Sequence, residues 1–204
     1  MSTALRVGLS GSVALLVLLA GCRTAPAPAV IVGPGADAPW SEQRAGLEKL
    51  ASYSLTGRVA VAANGQGFSG NLRYRQQAQR ADVALDGPLG MGGLHMALDG
   101  ERLSVSTSKG EQLDGPEARA ELERRLGFEL PLDQLRWWLL GIPAPGESVL
   151  DQDAGSGEIR GFQQKGWRVN IDTRFPALGF ALPQKLTATH EGARLKMLIE
   201  SWQP

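Results

Sequence analysis

Cysteine and histidine are scarce in this chain of 204 residues, which contains one cysteine, Cys22, and two histidines, His95 and His190. A disulfide needs two cysteines, so none forms within the chain. The histidines lie far apart in the sequence, and neither belongs to a metal-binding or nucleophile–base pattern. We therefore expect no metal site, and we interpret each histidine as a surface or strand residue.

An excess of charge of one sign is also missing. The chain carries 21 Lys and Arg residues against 21 Asp and Glu residues, whereas proteins that hold DNA or RNA normally carry a basic excess on one face. Catalytic motifs are incomplete. Residues 67–70 lack the second glycine of a nucleophile elbow, residues 151–155 lack the full ligand set of a calcium loop, and Trp167 stands where a phosphate-binding loop needs lysine. We expect no nucleic-acid partner, no cofactor and no enzymatic activity.

An apolar run, Val13–Ala20, follows the cation Arg6 near the start of the chain. It is too short to span a bilayer as a helix, but it is typical of the h-region of a secretory signal. It ends in Leu19-Ala20-Gly21-Cys22, which resembles a bacterial lipobox. The resemblance implies that residues 1–21 are a cleaved signal peptide and that Cys22 carries a diacylglycerol and an N-acyl chain. In the sorting scheme of enteric bacteria, Arg23 after the cysteine indicates the outer membrane, facing the periplasm.

Residues 22–39 are rich in Ala, Pro and Gly and show no apolar period, so we interpret them as a lipidated tether. Residues 40–204 form the folded domain. Its first segment, around residues 40–51, places Trp40, Leu47 and Leu50 on one side of a helix. Alternating apolar and polar residues then predict half-buried antiparallel strands at residues 53–61, 81–86, 94–98, 103–105, 167–172 and 194–200.

Two helices interrupt the strands. Pro116 and Gly127 suit the start and the end of the first, while Pro131 and Gly141 bound the second. A curved sheet of about ten strands with helices inserted midway predicts a mainly β fold, an incomplete antiparallel barrel covered by a helical lid. The apolar interior of such a fold is either a packed core or a lipid cavity, and composition does not decide between them.

From Trp40 to Trp202 the chain resembles the LolB family, outer-membrane receptors that accept lipoproteins from the periplasmic carrier LolA, which shares the fold. The landmarks, in order, are the lipobox at Cys22, Gly57-Arg58, Gly87-Pro88-Leu89-Gly90, Leu130-Pro131-Leu132, the run Leu135–Pro143, Gly166-Trp167, Leu182-Pro183 and Trp202. The resemblance implies an unclosed barrel of eleven strands, with a three-helix lid over a hydrophobic cavity that holds the acyl chains of a lipoprotein. It also implies a monomer that inserts its cargo into the inner leaflet of the outer membrane.

The inward faces of the predicted strands and of the second lid helix would form the cavity wall. These positions are Leu55, Val59, Val83, Leu85, Leu94, Met96, Leu135, Trp138, Trp167, Val169, Ile171, Leu195, Met197 and Ile199. The resemblance also implies a protruding apolar residue for membrane delivery, which Leu89 matches and whose role Met91 could share. Without the resemblance, Leu89 would be interpreted as a minor contact at the sheet edge.

Two alternatives stay open. A periplasm-facing lipid-binding lipoprotein with another cargo would share every landmark, and competition by the carrier would distinguish it. A lipid hydrolase or acyltransferase would need a nucleophile and a base, and replacement of both histidines without effect would exclude that class.

A mature chain with Cys22→Ala should fold like the parent and should still take up a lipid-like probe, because the tether carries no core pattern. Circular dichroism and probe fluorescence measure both properties. An unfolded protein, or a folded one that takes up no probe, would contradict the separation of anchor and domain.

Overall fold

The computed structural model describes residues 33–87 and 93–204, which form three helices and eleven strands. The helices are α1 (Trp40–Lys49), α2 (Gly115–Leu126) and α3 (Leu132–Leu139). The strands are β1 (Ser52–Ala63), β2 (Gln66–Gln77), β3 (Arg80–Asp86), β4 (Leu94–Asp99), β5 (Arg102–Thr107), β6 (Gln112–Asp114), β7 (Val149–Gln152), β8 (Ile159–Gln164), β9 (Trp167–Ala177), β10 (Phe180–His190) and β11 (Ala193–Gln203).

All eleven strands belong to one antiparallel sheet in the order β6-β5-β4-β3-β2-β1-β11-β10-β9-β8-β7. The first and last strands of the chain pair in its centre, so β6 and β7 form its two edges. Within the described residues these edges do not pair with each other, and the barrel is therefore unclosed. The chain passes from one edge to the other through α2 and α3, which lie over the gap. The predicted incomplete barrel with inserted helices is confirmed.

Alternation of side chains sets which face of the sheet is buried. In β1 every second residue from Tyr53 to Ala63 is buried, and the residues between them are mostly exposed. Two-residue turns with positive φ at both positions join several strands, as at Asn64-Gly65 and Lys165-Gly166. At Gly57 the β1–β11 register shifts, and a Cβ there would collide with the carbonyl oxygen of Leu198. The bulge therefore requires a glycine.

Several strands escaped the sequence analysis. In β2, residues Gln66–Ser69 are exposed in succession, so the strand alternates in burial only in its second half. In β10, Pro183 precedes a register irregularity that breaks the period of two. Proline in a sheet is confined to edges, strand starts and bulges, so its presence argued against a strand at this place. The first helix ends at Lys49, two residues before its expected end.

Arg174 on β9 connects three parts of the fold. Its guanidinium forms an ion pair with Glu158 (Nε–Oε1 2.8 Å) and donates to the carbonyl oxygens of Ile159 (2.8 Å) and Gly141 (3.4 Å). It also lies over the ring of Trp40 in α1, 4.6 Å from the centroid. Burial lowers the pKa of Arg174 to about 10, and Glu158 opposes this shift, so the side chain stays charged at neutral pH. Arg174 thus links α1, the start of β8 and Gly141, two residues after α3, to strand β9.

Candidate functional site

An enclosed apolar cavity of about 40 Å³ lies between the concave face of the sheet and the helices. Strands β1 to β4 and β11 supply one side of the wall, and α2, α3 and their connection supply the other. The lining residues are Val59, Val61, Leu72, Tyr74, Val83, Leu85, Met96, Leu122, Leu126, Leu130, Leu135, Leu139, Leu195 and Met197. Apart from the hydroxyl of Tyr74, the lining side chains are apolar, so the cavity offers water few hydrogen-bond partners.

Tyr74 is the one residue of this wall with a polar side-chain atom. Its hydroxyl donates to Oε1 of Gln76, and its ring stacks on Tyr53 with centroids 5.7 Å apart. Burial raises the pKa of Tyr74 and also that of Tyr53. Both phenols therefore stay neutral, and the wall presents no charge to an apolar occupant.

Half of the predicted wall residues line this cavity: Val59, Val83, Leu85, Met96, Leu135, Leu195 and Met197. Both predicted methionines are among them. Leu55, Trp138, Trp167, Val169 and Ile199 are buried in the hydrophobic core, outside the cavity wall, and Ile171 is half-buried against that core. Leu94 lines a neighbouring groove. Alternation identifies the inward face of a strand, but the void occupies only part of that face.

Sequence reasoning missed the other half of the wall. Val61 belongs to the alternating pattern of β1, and Leu122 and Leu126 form the buried side of α2 with Ala118, so the periodicity was sufficient to find these three. Leu72 and Tyr74 lie in β2, whose glycine-rich first half concealed the strand.

An open groove of about 700 Å³ adjoins the cavity. Its lining includes Gly87, Leu94 and Phe68, a large apolar side chain that is 37% exposed. The groove and the cavity share Val61, Leu85 and Leu126. Apolar surface is therefore continuous from solvent to the cavity, and the shared residues, which include Leu126 at the C-terminal end of α2, border both spaces.

Helix α3 is held by buried hydrogen bonds. Nε1 of Trp138 donates to Oε1 of Gln164 (3.0 Å), and Nε2 of the same glutamine donates to the carbonyl oxygen of Ala144 (2.9 Å). On the other side, the hydroxyl of Tyr53 donates to the carbonyl oxygen of Arg136 (2.6 Å). Buried polar groups are costly to leave unpaired, so these bonds oppose displacement of α3 from the sheet.

Helix α2 is attached differently. Its polar links to the sheet lie at the surface: Nδ2 of Asn64 donates to the carbonyl oxygen of Gly127 (3.1 Å), and Arg119 donates to the main chain of the β4–β5 turn (3.3 Å). The Arg125–Glu111 ion pair is long, at 3.6 Å. Solvent replaces such contacts at little cost. Apolar packing of Leu122 and Leu126 is therefore the main attachment of α2.

Other expected features lie elsewhere. Cys22, Leu89 and Met91 fall outside the described residues. His95 is exposed on β4, whereas His190 ends β10 and stacks on Trp167 with centroids 5.2 Å apart. Among residues 33–87 and 93–204, no group of three or more His, Cys, Asp or Glu side chains is arranged to hold a metal ion. No helix in these ranges is long and apolar enough to cross a membrane.

Comparison with known proteins identifies the class of this half-barrel. Curated relatives named outer-membrane lipoprotein LolB include the protein of Nitrosococcus oceani, which is 33% identical over 92% of this chain and 93% of the relative. The protein of Stutzerimonas stutzeri is 30% identical over 93% of this chain and 92% of the relative. The protein of Pseudomonas paraeruginosa is 29% identical over 98% of both chains. The protein is thus one of the outer-membrane lipoproteins. Residues 51–202 match the family model described as "Outer membrane lipoprotein LolB", and the chain belongs to the LolB family.

One solved structure shares this fold, and a second aligns less closely. A DUF1329 family protein from Desulfovibrio piger aligns with a TM-score of 0.50 and 8% identity, over 77% of this chain and 87% of that one. A LolA superfamily protein from Nitrosomonas europaea aligns over 76% of this chain and 86% of that one, with a TM-score of 0.49 and 12% identity.

Replacement of Met197 by Glu should weaken uptake of an acyl probe by about 100-fold, because an unpaired charge in an apolar cavity costs several kcal/mol. Fluorescence titration with a labelled fatty acid measures the affinity, and thermal unfolding shows whether the variant folds. Met197→Leu keeps the volume and should bind like the parent.

Ile171→Glu is the matched control, because this side chain is half-buried beside the core and does not line the cavity. It should lower stability but leave uptake by the folded protein unchanged. A folded Met197→Glu protein with the parent's affinity would contradict the assignment of the cavity.

Proposed function

We propose that this protein is an acceptor of lipoproteins at the outer membrane. Anchored through Cys22 and facing the periplasm, it takes acyl chains from the carrier LolA into its apolar cavity and passes them into the inner leaflet. Membership of the LolB family supports the coarse role. The observation that carries the proposal in this chain is the enclosed apolar cavity, whose wall continues into an open apolar groove.

The size of the cavity determines how it must work. Ligand-binding pockets generally measure about 300–1,000 Å³, whereas the enclosed void measures about 40 Å³. An acyl chain therefore enters only when the wall moves. Helix α3 is held by buried hydrogen bonds and α2 mainly by apolar packing, so α2 is the part that yields. The incoming chain replaces the contacts that Leu122 and Leu126 lose, which lets the exchange proceed without an external energy source.

The groove provides the way in. Displacement of the C-terminal end of α2 moves Leu126, which borders both the groove and the cavity, and joins the two spaces. Phe68 lies beside this opening with part of its ring in solvent. The two methionines on the wall are unbranched and flexible, and they adapt to acyl chains of different shape. No step of this transfer needs a nucleophile or a general base.

The direct test is incubation of the protein with labelled lipoprotein bound to the carrier, followed by separation of the two proteins. The label should move to this protein and then to added liposomes. Retention of the label by the carrier under all conditions would contradict the proposed function.

Locking α2 should block uptake. A Cβ built on Gly127 lies 3.4 Å from Cβ of Ala63 in β1, close to the roughly 3.5–4.5 Å of a disulfide. In the mature chain with Cys22→Ala, the pair Ala63→Cys and Gly127→Cys should bind an acyl probe about tenfold or more weakly when oxidised. Reduction should restore binding.

The reduced form and the two single-cysteine variants are the controls for this lock. They are needed because Gly127 has a φ of 80°, where a side chain costs about 1–2 kcal/mol. An oxidised protein that binds the probe as well as its reduced form would exclude α2 as the moving part.

Delivery should depend on Leu89, which lies in the sequence between β3 and β4. Gly87 and Leu94, on either side of this segment, line the open groove. We predict that Leu89→Glu folds normally and accepts cargo but incorporates it poorly into liposomes, because burial of one leucine contributes about 1.5–3 kcal/mol to transient membrane contact. Met91→Glu tests whether Met91 shares this role. Undiminished delivery by Leu89→Glu would refute the role, and early melting would indicate a core contact instead.

A further inference from the structure

The outer face of the sheet carries a basic depression that the acyl-transfer role does not use. It measures about 590 Å³ and crosses β1, β11 and β10. Four cations line it, Arg58, Lys185, Arg194 and Lys196, together with one carboxylate, Asp172. All four cationic side chains are exposed. We refer to these four cations and their surroundings as the basic face.

The charges of the basic face are only partly compensated. Arg58 pairs with Glu200 (Nε–Oε1 2.9 Å), and Asp172 accepts a hydrogen bond from Thr187 (2.8 Å). In the part of the chain that the structure describes, no carboxylate oxygen lies within 4.0 Å of the nitrogens of Lys185, Arg194 or Lys196. Three neighbouring cations therefore face solvent.

The rest of the sequence makes this concentration of charge more distinct. Residues 160–204 contain seven Lys and Arg residues and three Asp and Glu residues. Residues 99–133 contain five Lys and Arg residues and nine Asp and Glu residues. The chain as a whole is neutral. Arg160 and Arg174 pair with Asp153 and Glu158, which lie outside this range, so five cations remain against three carboxylates in residues 160–204. A basic excess favours contact with an anionic surface.

The N-terminal segment enters the fold on the same strands. The amide of Gly33 donates to the carbonyl oxygen of Leu178 (2.9 Å), and the amide of Gly35 donates to that of Gly179 (2.9 Å), at the β9–β10 turn. Cys22 precedes Gly33 by eleven residues, which span at most about 40 Å when extended. An anchor at Cys22 therefore keeps this turn within about 40 Å of the bilayer, and Arg194 lies opposite Thr189, ten residues beyond the turn along β10.

We propose that the basic face binds anionic phospholipid headgroups and orients the domain on the membrane to which it is anchored. This inference rests on the proposed lipid anchor at Cys22. Each Lys or Arg near an anionic leaflet strengthens binding about fivefold, and tethering raises the effective concentration enough for a weak contact to persist. Ser69 lines both the basic face and the open groove. Contact through the basic face consequently brings the rim of the groove to the headgroups.

The test uses the mature chain with Cys22→Ala and vesicles of phosphatidylcholine, either alone or with about one-third phosphatidylglycerol. Co-sedimentation should show binding to the anionic vesicles, weaker at high salt, and little binding to the neutral ones. Arg194→Gln with Lys196→Gln should weaken anionic binding about 30-fold. Arg102→Gln with Lys109→Gln makes the same change in charge at exposed positions of β5 and its following turn, and should leave binding unchanged.

Three results would each overturn the proposal. The parent could bind both vesicle types equally, the Arg194/Lys196 variant could bind anionic vesicles as well as the parent, or the Arg102/Lys109 variant could lose as much binding as the Arg194/Lys196 variant. The proposal would also be overturned if the parent did not bind anionic vesicles and the Arg194/Lys196 variant no longer accepted lipoprotein from the carrier. The basic face would then bind a protein. Uptake of the acyl probe, measured in parallel, should be the same in all variants. Failure of the parent to take up the probe would count against the proposed function and leave the vesicle result intact.

Discussion

An open antiparallel sheet has one apolar face that must be kept from water, and this requirement governs the rest of the structure. The eleven strands turn their buried residues to one side, but β6 and β7 do not meet. The segment between these two edges therefore supplies the missing cover as α2 and α3. A cover of separate helices does not interlock with a sheet as completely as a neighbouring strand would. The small apolar cavity and the adjoining groove follow from this arrangement.

Helices α2 and α3 differ in the free-energy cost of moving them away from the sheet. Movement of α3 would break the buried Trp138–Gln164 contact and the bond from Tyr53, whereas movement of α2 would expose apolar side chains and break only surface contacts. An acyl chain can compensate the loss of apolar contacts but not the loss of a buried hydrogen bond. The chemistry of the attachments thus makes α2 the easier of the two helices to displace. The run Leu135–Pro143 contains several of the residues that fix α3.

Much of this fold was predictable from local patterns. Alternation located β1, β3, β4, β5, β9 and β11, and Gly127 marked the end of α2, where its φ is 80°. Prediction failed where a physical exception interrupted the pattern, as with the exposed glycine-rich start of β2 and the bulge after Pro183 in β10. Trp167 and Val169 face inward as expected, yet they pack in the core. Which inward residues border a void depends on how distant elements fit together, and no local pattern records that.

The unclosed barrel has a further consequence for self-association. A sheet with two unpaired edges offers backbone donors and acceptors to a second copy. Here the edge strands are the shortest of the sheet, with three residues in β6 and four in β7. Short edges provide too few hydrogen bonds to hold another chain. The shortness of these strands thus protects the incomplete barrel from edge-to-edge polymerisation.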